Sequence, residues 1–484
     1  AEEIEKIVEK TAALKAFQEE PDRPEDLAKI PLLERSDIRR EIEPIILEER
    51  KIEDTKLIYH KIETNGVSYF RLLFDISEVP AELFAYVGIL KAAIGLVDTQ
   101  NYSYQELFTQ TDLLTGGIVP VTNIYPNITN PSERKITFEI KGKALYPKLD
   151  VLFAMMREIL MESKLGDEKR LKEILSMLKT RLQTSFLSAG HTTAVLRSLS
   201  YTSPIARFRD ITSGIGFYEV VKDLEENFEE RKELLIENLK KIAGRIFRKE
   251  NLMLSYTSAQ EGLAVLEKAV PQFADSLHTG EKESHGQCII HCKKRNEGFR
   301  TSSKVQYVAR TGNFIDGGAE YTGALQILKV ILSYDYLWQN VRVKGGAYGC
   351  MSGFNRIGEG YLVSYRDPNL EKTMEIYEGV VDYLKNFDID DRDMNKFIIG
   401  TISNLDRPMN PAAKGSRSLN LYMNRITEEM IRREREQILD AQQEDIRGLA
   451  TVLEAVLAAG ELCVIGSEEK IEEAKEMFGE IRTL

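Results

Sequence analysis

Arg342 and Tyr348 stand six residues apart in V-R-V-K-G-G-A-Y-G (residues 341–349), with the glycine pair Gly345-Gly346 between them. On an uninterrupted strand such residues lie roughly 20 Å apart, too far to share one group of a ligand. Glycine reaches positive φ without steric cost, so the backbone can turn at the pair and aim a guanidinium and a phenol at one point. A fixed cation with several N–H donors beside a neutral O–H donor suits a carbonyl oxygen, or the oxyanion it becomes. The same residues also read as helix punctuation: Arg342 and Lys344 complement the C-terminal dipole of the preceding apolar helix, and Gly345 caps it.

Other chemistry is thinly supplied. Five histidines, His60, His191, His278, His285 and His291, bound the metal options. A helical zinc site of the H-x-x-E-H or H-E-x-x-H kind needs two histidines on one helical face with a glutamate between them, and neither pattern occurs. His60 falls between Ile58 and Ile62 in an expected strand, where it reads as a structural histidine. In Cys288-Ile289-Ile290-His291-Cys292, read as a strand, the two cysteines share a face about 13 Å apart, too far for one tetrahedral zinc. Nucleophile elbows, phosphate loops and dinucleotide fingerprints are absent from the sequence.

The elements that must position Arg342 and Tyr348 belong to a chain of 484 residues, enough for two to four domains. Hydrophobic residues at 43% and charged residues at 29% describe a folded globular chain. The net charge of −12 argues against nucleic-acid binding and is compatible with basic peptide ligands. No apolar run approaches the ~18 residues of a membrane span, and four cysteines are too few for a disulfide framework, so a cytoplasmic location is expected.

Apolar spacing predicts a helix in the first 18 residues and then an acidic, proline-bearing connector. Residues 56–63 and 67–75 alternate around Thr64-Asn65-Gly66, a hairpin signal. Helices follow over 81–95 and 104–114, a strand over 136–140, helices from 149 and 171, a strand over 252–256 and a helix over 260–270. Residues 304–310, a helix over 320–341, the Gly345-Gly346 turn, a strand over 361–366, paired helices and a strand over 462–466 run through the same programme again. Tyr69 matches Tyr307 and Ala81-Glu82 matches Ala319-Glu320, both 238 residues apart, and Gly116-Gly117 matches Gly345-Gly346. This is an internal duplication, and it predicts an α+β architecture with two similar layers of sheet and helix. With the glycine pairs superposed, Leu113 and Val119 fall opposite Arg342 and Tyr348. The turn recurs without the polar pair, so the pair is not needed to make the turn.

That duplicated order, V-R-V-K-G-G-A-Y-G, T-N-G-V-S-Y-F (64–70), the run 80–95 and S-Y-R-D-P-N (364–369) together resemble the C-terminal half of a pitrilysin-type (insulinase-family) zinc metallopeptidase of the presequence protease and falcilysin subgroup. The resemblance covers nearly the whole chain. It implies a helical linker segment (1–50), then two homologous α+β domains, each a β-sheet with helices packed on one face. These are 51–273 and 287–484, the third and fourth domains of the full peptidase, joined by a linker at 274–286. It further implies that Zn sits on an H-x-x-E-H motif in an N-terminal half, on the same polypeptide or a separate chain, and that the present chain binds no metal. Arg342 and Tyr348 match the family's arginine and tyrosine that contact peptide backbone near the scissile bond, on a substrate loop containing Gly345 and Gly346. Without the zinc half, the isolated chain is expected to hydrolyse no peptide. A catalytically silent scaffold or peptide-binding protein on the same fold is the rival reading, and the presence of Arg342 and Tyr348 favours the first.

Overall fold

The computed structural model describes the chain apart from residues 1, 21, 22, 28, 32, 131, 281–285 and 287. The first 39 residues form a unit of their own, containing the helix Glu2–Glu19 and the short helix Pro24–Leu27.

Within Arg40–Leu484, two six-stranded sheets carry the architecture. The first contains β1 (Glu48–Ile52), β2 (Thr55–Lys61), β3 (Val67–Asp75), β4 (Ile118–Pro126), β5 (Arg134–Leu145) and β6 (Leu252–Ser258), in the order β1-β2-β6-β3-β5-β4. The second contains β7 (Glu297–Thr301), β8 (Tyr307–Asn313), β9 (Gly349–Phe354), β10 (Glu359–Tyr365), β11 (Glu461–Ser467) and β12 (Glu480–Thr483), in the order β12-β7-β11-β8-β10-β9. From β2 and from β7 onward the two orders are the same, so the duplication read from the sequence is real in space. Only the outer edge differs: β1 runs antiparallel to β2, whereas β12 runs parallel to β7.

The expected hairpin of β2 and β3 does not form. Its turn is present, with Asn65 at φ +50, Gly66 at φ +80 and the Val67 N–H donating to Thr64 O at 3.1 Å. Between the two strands, however, runs β6, parallel to β2 and antiparallel to β3. All seven residues of β6 are buried, and a strand with no solvent beside it must satisfy its backbone N–H and C=O groups on both edges. That demand outweighs the local turn signal. Residues 288–292, expected to be a strand, are irregular. The Cys288 N–H donates to Ser77 O and Arg134 Nη2 donates to Cys288 O, so the segment is tied to a loop after β3 and to a side chain at the start of β5 rather than laddered to a strand. Of the expected linker, 274 and 275 end the helix Gln260–Asp275, and the His278 N–H donates to Phe247 O. Residues 281–285, His285 among them, lie outside the described residues.

One face of the first sheet is covered by that copy's own helices, with Phe70, Leu72, Phe74, Leu254 and Tyr256 buried against them. The other face of each sheet borrows a helix from the opposite copy. Helix Gly190–Leu199 brings Ala194 onto Phe299, Tyr307, Ala309, Val363 and Cys463 of the second sheet. Helix Pro411–Met423 brings Leu419 and Met423 onto Ile58, Leu73 and Met253 of the first. Both approaches need a glycine: a Cβ on Gly190 would overlap the Tyr307 ring, and one on Gly415 would overlap Thr257 Oγ1. The exchange interlocks the copies, each fully buried Leu, Phe or Met contributing on the order of 1.5–3 kcal/mol.

Candidate functional site

The helix leading to Arg342 is not continuous, as its apolar pattern suggests, but ends and restarts. Helix Ala324–Tyr334 buries Leu325, Leu328, Ile331 and Leu332, then breaks at Asp335, whose backbone leaves the helical region (φ −120, ψ −91). The chain resumes as a π-helix over Trp338–Val343, with the Lys344 N–H reaching back five residues to Gln339 O at 3.0 Å. Single π turns are rare and frequent at functional sites. Widening the turn sets Trp338 and Arg342 one above the other, and the Arg342 guanidinium carbon lies 3.8 Å from the Trp338 ring centroid. Val341 on the buried side anchors the segment.

The glycine pair then turns the chain. Gly346 takes φ +82, its N–H donates to Arg342 O at 2.9 Å, and the Ala347 N–H donates to Val341 O at 3.1 Å. This is a left-handed glycine cap whose bonds span one residue more than usual, as the π turn requires. A Cβ on Gly345 would overlap Val341 O, so that position is confined to glycine by sterics alone. The turn is held from outside by S-Y-R-D-P-N: Asn369 Nδ2 donates to Gly345 O at 2.6 Å, and the buried Asp367 accepts from the Asn369 N–H at 2.9 Å and from Thr373 Oγ1 at 2.6 Å.

Beyond the turn, the Tyr348 N–H donates to Tyr365 O at 3.0 Å and β9 begins. The Tyr348 ring is 71% exposed, with the Arg366 guanidinium 6.0 Å from its centroid. Arg366 sits at φ +49, and Tyr365 beside it packs edge-on to His191 with ring centroids 4.9 Å apart. No hydrogen bond or ring contact joins Arg342 to Tyr348 among the described residues. The loop displays one stacked cation and one free phenol rather than a closed pair. Nearby Cys350 is buried, which pushes its thiol up to about 11 against the opposing pull of the Arg342 cation, so it offers no thiolate nucleophile.

The counterpart in the first sheet has the turn and none of the polar groups. Gly117 lies at φ +107 and the Gly116 N–H donates to Lys143 O at 2.7 Å, while Leu113 and Val119 are 73% and 53% exposed.

Sequence reading missed Trp338, Arg366 and Asn369 as parts of the site. Trp338 carried a usable signal: it is the chain's single tryptophan and stands four residues before Arg342 on a helical pattern. Among the described residues, no three His, Cys, Asp or Glu side chains are grouped to hold a metal. His60 is fully buried, with its Nδ1–H donating to Ile46 O at 2.7 Å and its Nε2 accepting from Ser255 Oγ at 3.1 Å. No helix among the described residues is long and apolar enough to cross a membrane.

The duplicated sheets, exchanged helices and glycine-turned loop define a peptidase M16-type fold. A solved structure described as the peptidase M16 inactive domain from Pseudomonas fluorescens superposes with a TM-score of 0.60 over 87% of this chain and 97% of that one, at 13% identity. A protease from Helicobacter pylori superposes with a TM-score of 0.60 at 14% identity, covering 87% of this chain and 98% of that one. Residues 1–224 match the family described as associated with peptidase M16, subfamily C, and residues 296–468 match the PreP C-terminal domain. Together these two matches cover most of the chain, and they are to the same peptidase M16 and presequence-protease group that V-R-V-K-G-G-A-Y-G, T-N-G-V-S-Y-F and S-Y-R-D-P-N jointly resemble. It is 35% identical over 99% of its length to Protein HypA of Clostridium perfringens, and 29% identical over 98% of its length to Presequence protease 1 of Arabidopsis thaliana. It spans about half the length of these relatives, 49% and 44% respectively.

Proposed function

We propose that this chain is the non-zinc portion of a peptide-degrading metalloendopeptidase, closing the reaction chamber and meeting substrate backbone through Arg342 and Tyr348. One observation carries the reading. Two turns in equivalent places of two similar sheets differ in that one displays a stacked arginine and an exposed tyrosine, the other Leu113 and Val119. A scaffold needs the turn but has no use for the polar pair.

A Zn ion held by the other half, as the family resemblance implies, would supply an activated water there. The work left to this chain is electrostatic. Stacking on Trp338 restricts the Arg342 guanidinium to one plane, leaving N–H donors along its edge for a peptide carbonyl. Tyr348 adds a neutral O–H donor, and the rigid turn fixes the spacing between the two. Donors arranged before reaction stabilise charge developing on a carbonyl oxygen more than the carbonyl itself, and so raise kcat.

The test is peptide hydrolysis by the chain assembled with its zinc-bearing half, on its own polypeptide or supplied separately, with and without a chelator. Chelator-sensitive cleavage that Arg342→Ala lowers supports the proposal. Cleavage indifferent to Arg342 and Tyr348 together removes their role.

A further inference from the structure

The second face of the first sheet carries cations where the second sheet carries apolar and aromatic side chains. Arg71 on β3 stands directly opposite Lys141 on β5, and Tyr69 stands opposite Lys143. With the Gly116–Gly117 turn and Ser416 of the Pro411–Met423 helix, these side chains enclose a cavity of about 280 Å³. Its wall includes three cations and no carboxylate.

Arg71 has partners, Glu139 at 3.3 Å and Ser416 Oγ at 2.8 Å. Glu139 is itself shared, accepting from Tyr125 at 2.6 Å and from Thr137 at 2.8 Å. Neither the Lys141 nor the Lys143 ammonium has a hydrogen bond or ion pair among the described residues. Like charges directly opposite across a sheet are destabilising, and burial followed by the Arg71 charge holds the Lys141 ammonium below its ordinary range. The fold does not demand this arrangement. The equivalent places of the second sheet hold Ala309, Val363 and Tyr365, packed beneath the Gly190–Leu199 helix.

We propose that the cavity is a second peptide subsite that takes a carboxylate, supplied either by a peptide's C-terminus or by an Asp or Glu side chain. A carboxylate accepts from two ammonium groups and relieves the repulsion among these cations. Val119, at the cavity wall and 53% exposed, supplies apolar contact for the adjoining residue. The proposal rests on the reading that this chain meets peptides, and it places a recognition element on the copy that lacks Arg342 and Tyr348.

The test uses the 484-residue chain itself and three labelled peptides, followed by fluorescence anisotropy. One ends in a free carboxylate and has no acidic residue, one is its C-terminal amide, and one is the amide with an internal glutamate. The expected result is that the free acid or the glutamate peptide binds about 10- to 100-fold more tightly than the plain amide. Whichever of the two does so identifies the source of the carboxylate. Lys141→Gln/Lys143→Gln should abolish that preference while keeping the circular dichroism spectrum and leaving the urea midpoint equal or higher, since it removes charges that repel Arg71. Equal binding of all three peptides, or a preference that survives the double substitution, sinks the subsite and leaves the role of Arg342 standing. Binding of none of them also sinks it, and Arg342 is then judged separately by kcat in the assembled enzyme.

Discussion

Arg197 and Glu297, one on the Gly190–Leu199 helix of the first copy and one on β7 of the second, form a fully buried two-point ion pair, with Nε to Oε2 at 2.5 Å and Nη2 to Oε1 at 2.8 Å. Asp210 takes the remaining edge of the guanidinium at 2.8 Å. The exchanged helix is thereby fastened to the sheet it covers by charge as well as by packing. Removing one partner strands a buried charge, so Arg197→Met should cost about 3–5 kcal/mol in urea denaturation, and replacing both partners by apolar residues should cost less. Burial opposes the Glu297 charge, but the Arg197 bonds overcome it and hold this carboxyl below its ordinary range. A depressed carboxyl contributes stability above its unfolded pKa and loses it as pH falls through the folded value, so the wild type should lose more stability on acidification than Glu297→Gln.

His60 provides a second pH signature, in a higher window. Burial, aided by the Arg71 charge, lowers its imidazole from 6.5 to about 4. The unfolded chain therefore takes up a proton between these values that the folded chain refuses. Stability is full above about pH 6.5 and falls as pH drops toward 4, by on the order of 3 kcal/mol in all. Urea midpoints across this range should slope for the wild type and lose that slope in His60→Gln.

Trp338 is expected to act as a positioning residue for Arg342. In the assembled enzyme, Arg342→Ala should lower kcat by about 10²- to 10³-fold, the usual loss for one oxyanion donor, with little change in the urea midpoint. Trp338→Ala should lower kcat in the same direction and Trp338→Phe should restore most of it, since phenylalanine keeps a ring face for the guanidinium. As Trp338 is the chain's single tryptophan, its emission should change on peptide binding and in Arg342→Ala.

The two glycines should fail differently. Gly346→Ala places a side chain at φ +82 in ordinary contact with Pro368 Cγ at 3.6 Å, costing about 1–2 kcal/mol with the loop in place. Gly345→Ala drives a methyl into Val341 O and must displace the turn, so kcat should fall further than the loss of stability explains. Parallel measurement of kcat and the urea midpoint separates the two cases.

If the zinc ligands lie on the other half, as proposed above, the purified chain alone should hydrolyse no peptide when Zn²⁺ is added. Cleavage that a chelator abolishes in the isolated chain would overturn the division of labour proposed above.

Local chemistry in the sequence was enough to settle several features. The repeated order of apolar strands and helices, the Gly345-Gly346 turn and the contrast of Arg342 and Tyr348 with Leu113 and Val119 depend on residues close together in the chain, and periodicity and glycine report them directly. The buried role of His60 followed likewise from its place between Ile58 and Ile62. What escaped involved partners distant in sequence. The Asn65-Gly66 turn formed, yet its strands parted because β6, from far along the chain, needed both edges paired. β4 and β9, placed by pairing with β5 and β10, lacked a strong period of their own. The π turn under Arg342 and the placing of Arg71 opposite Lys141 at the Gly116-Gly117 cavity arise from backbone hydrogen bonding and strand register, which residue order does not display. The exchange of helices rests on Gly190 meeting Tyr307 and Gly415 meeting Thr257, contacts that exist only once two distant surfaces are pressed together.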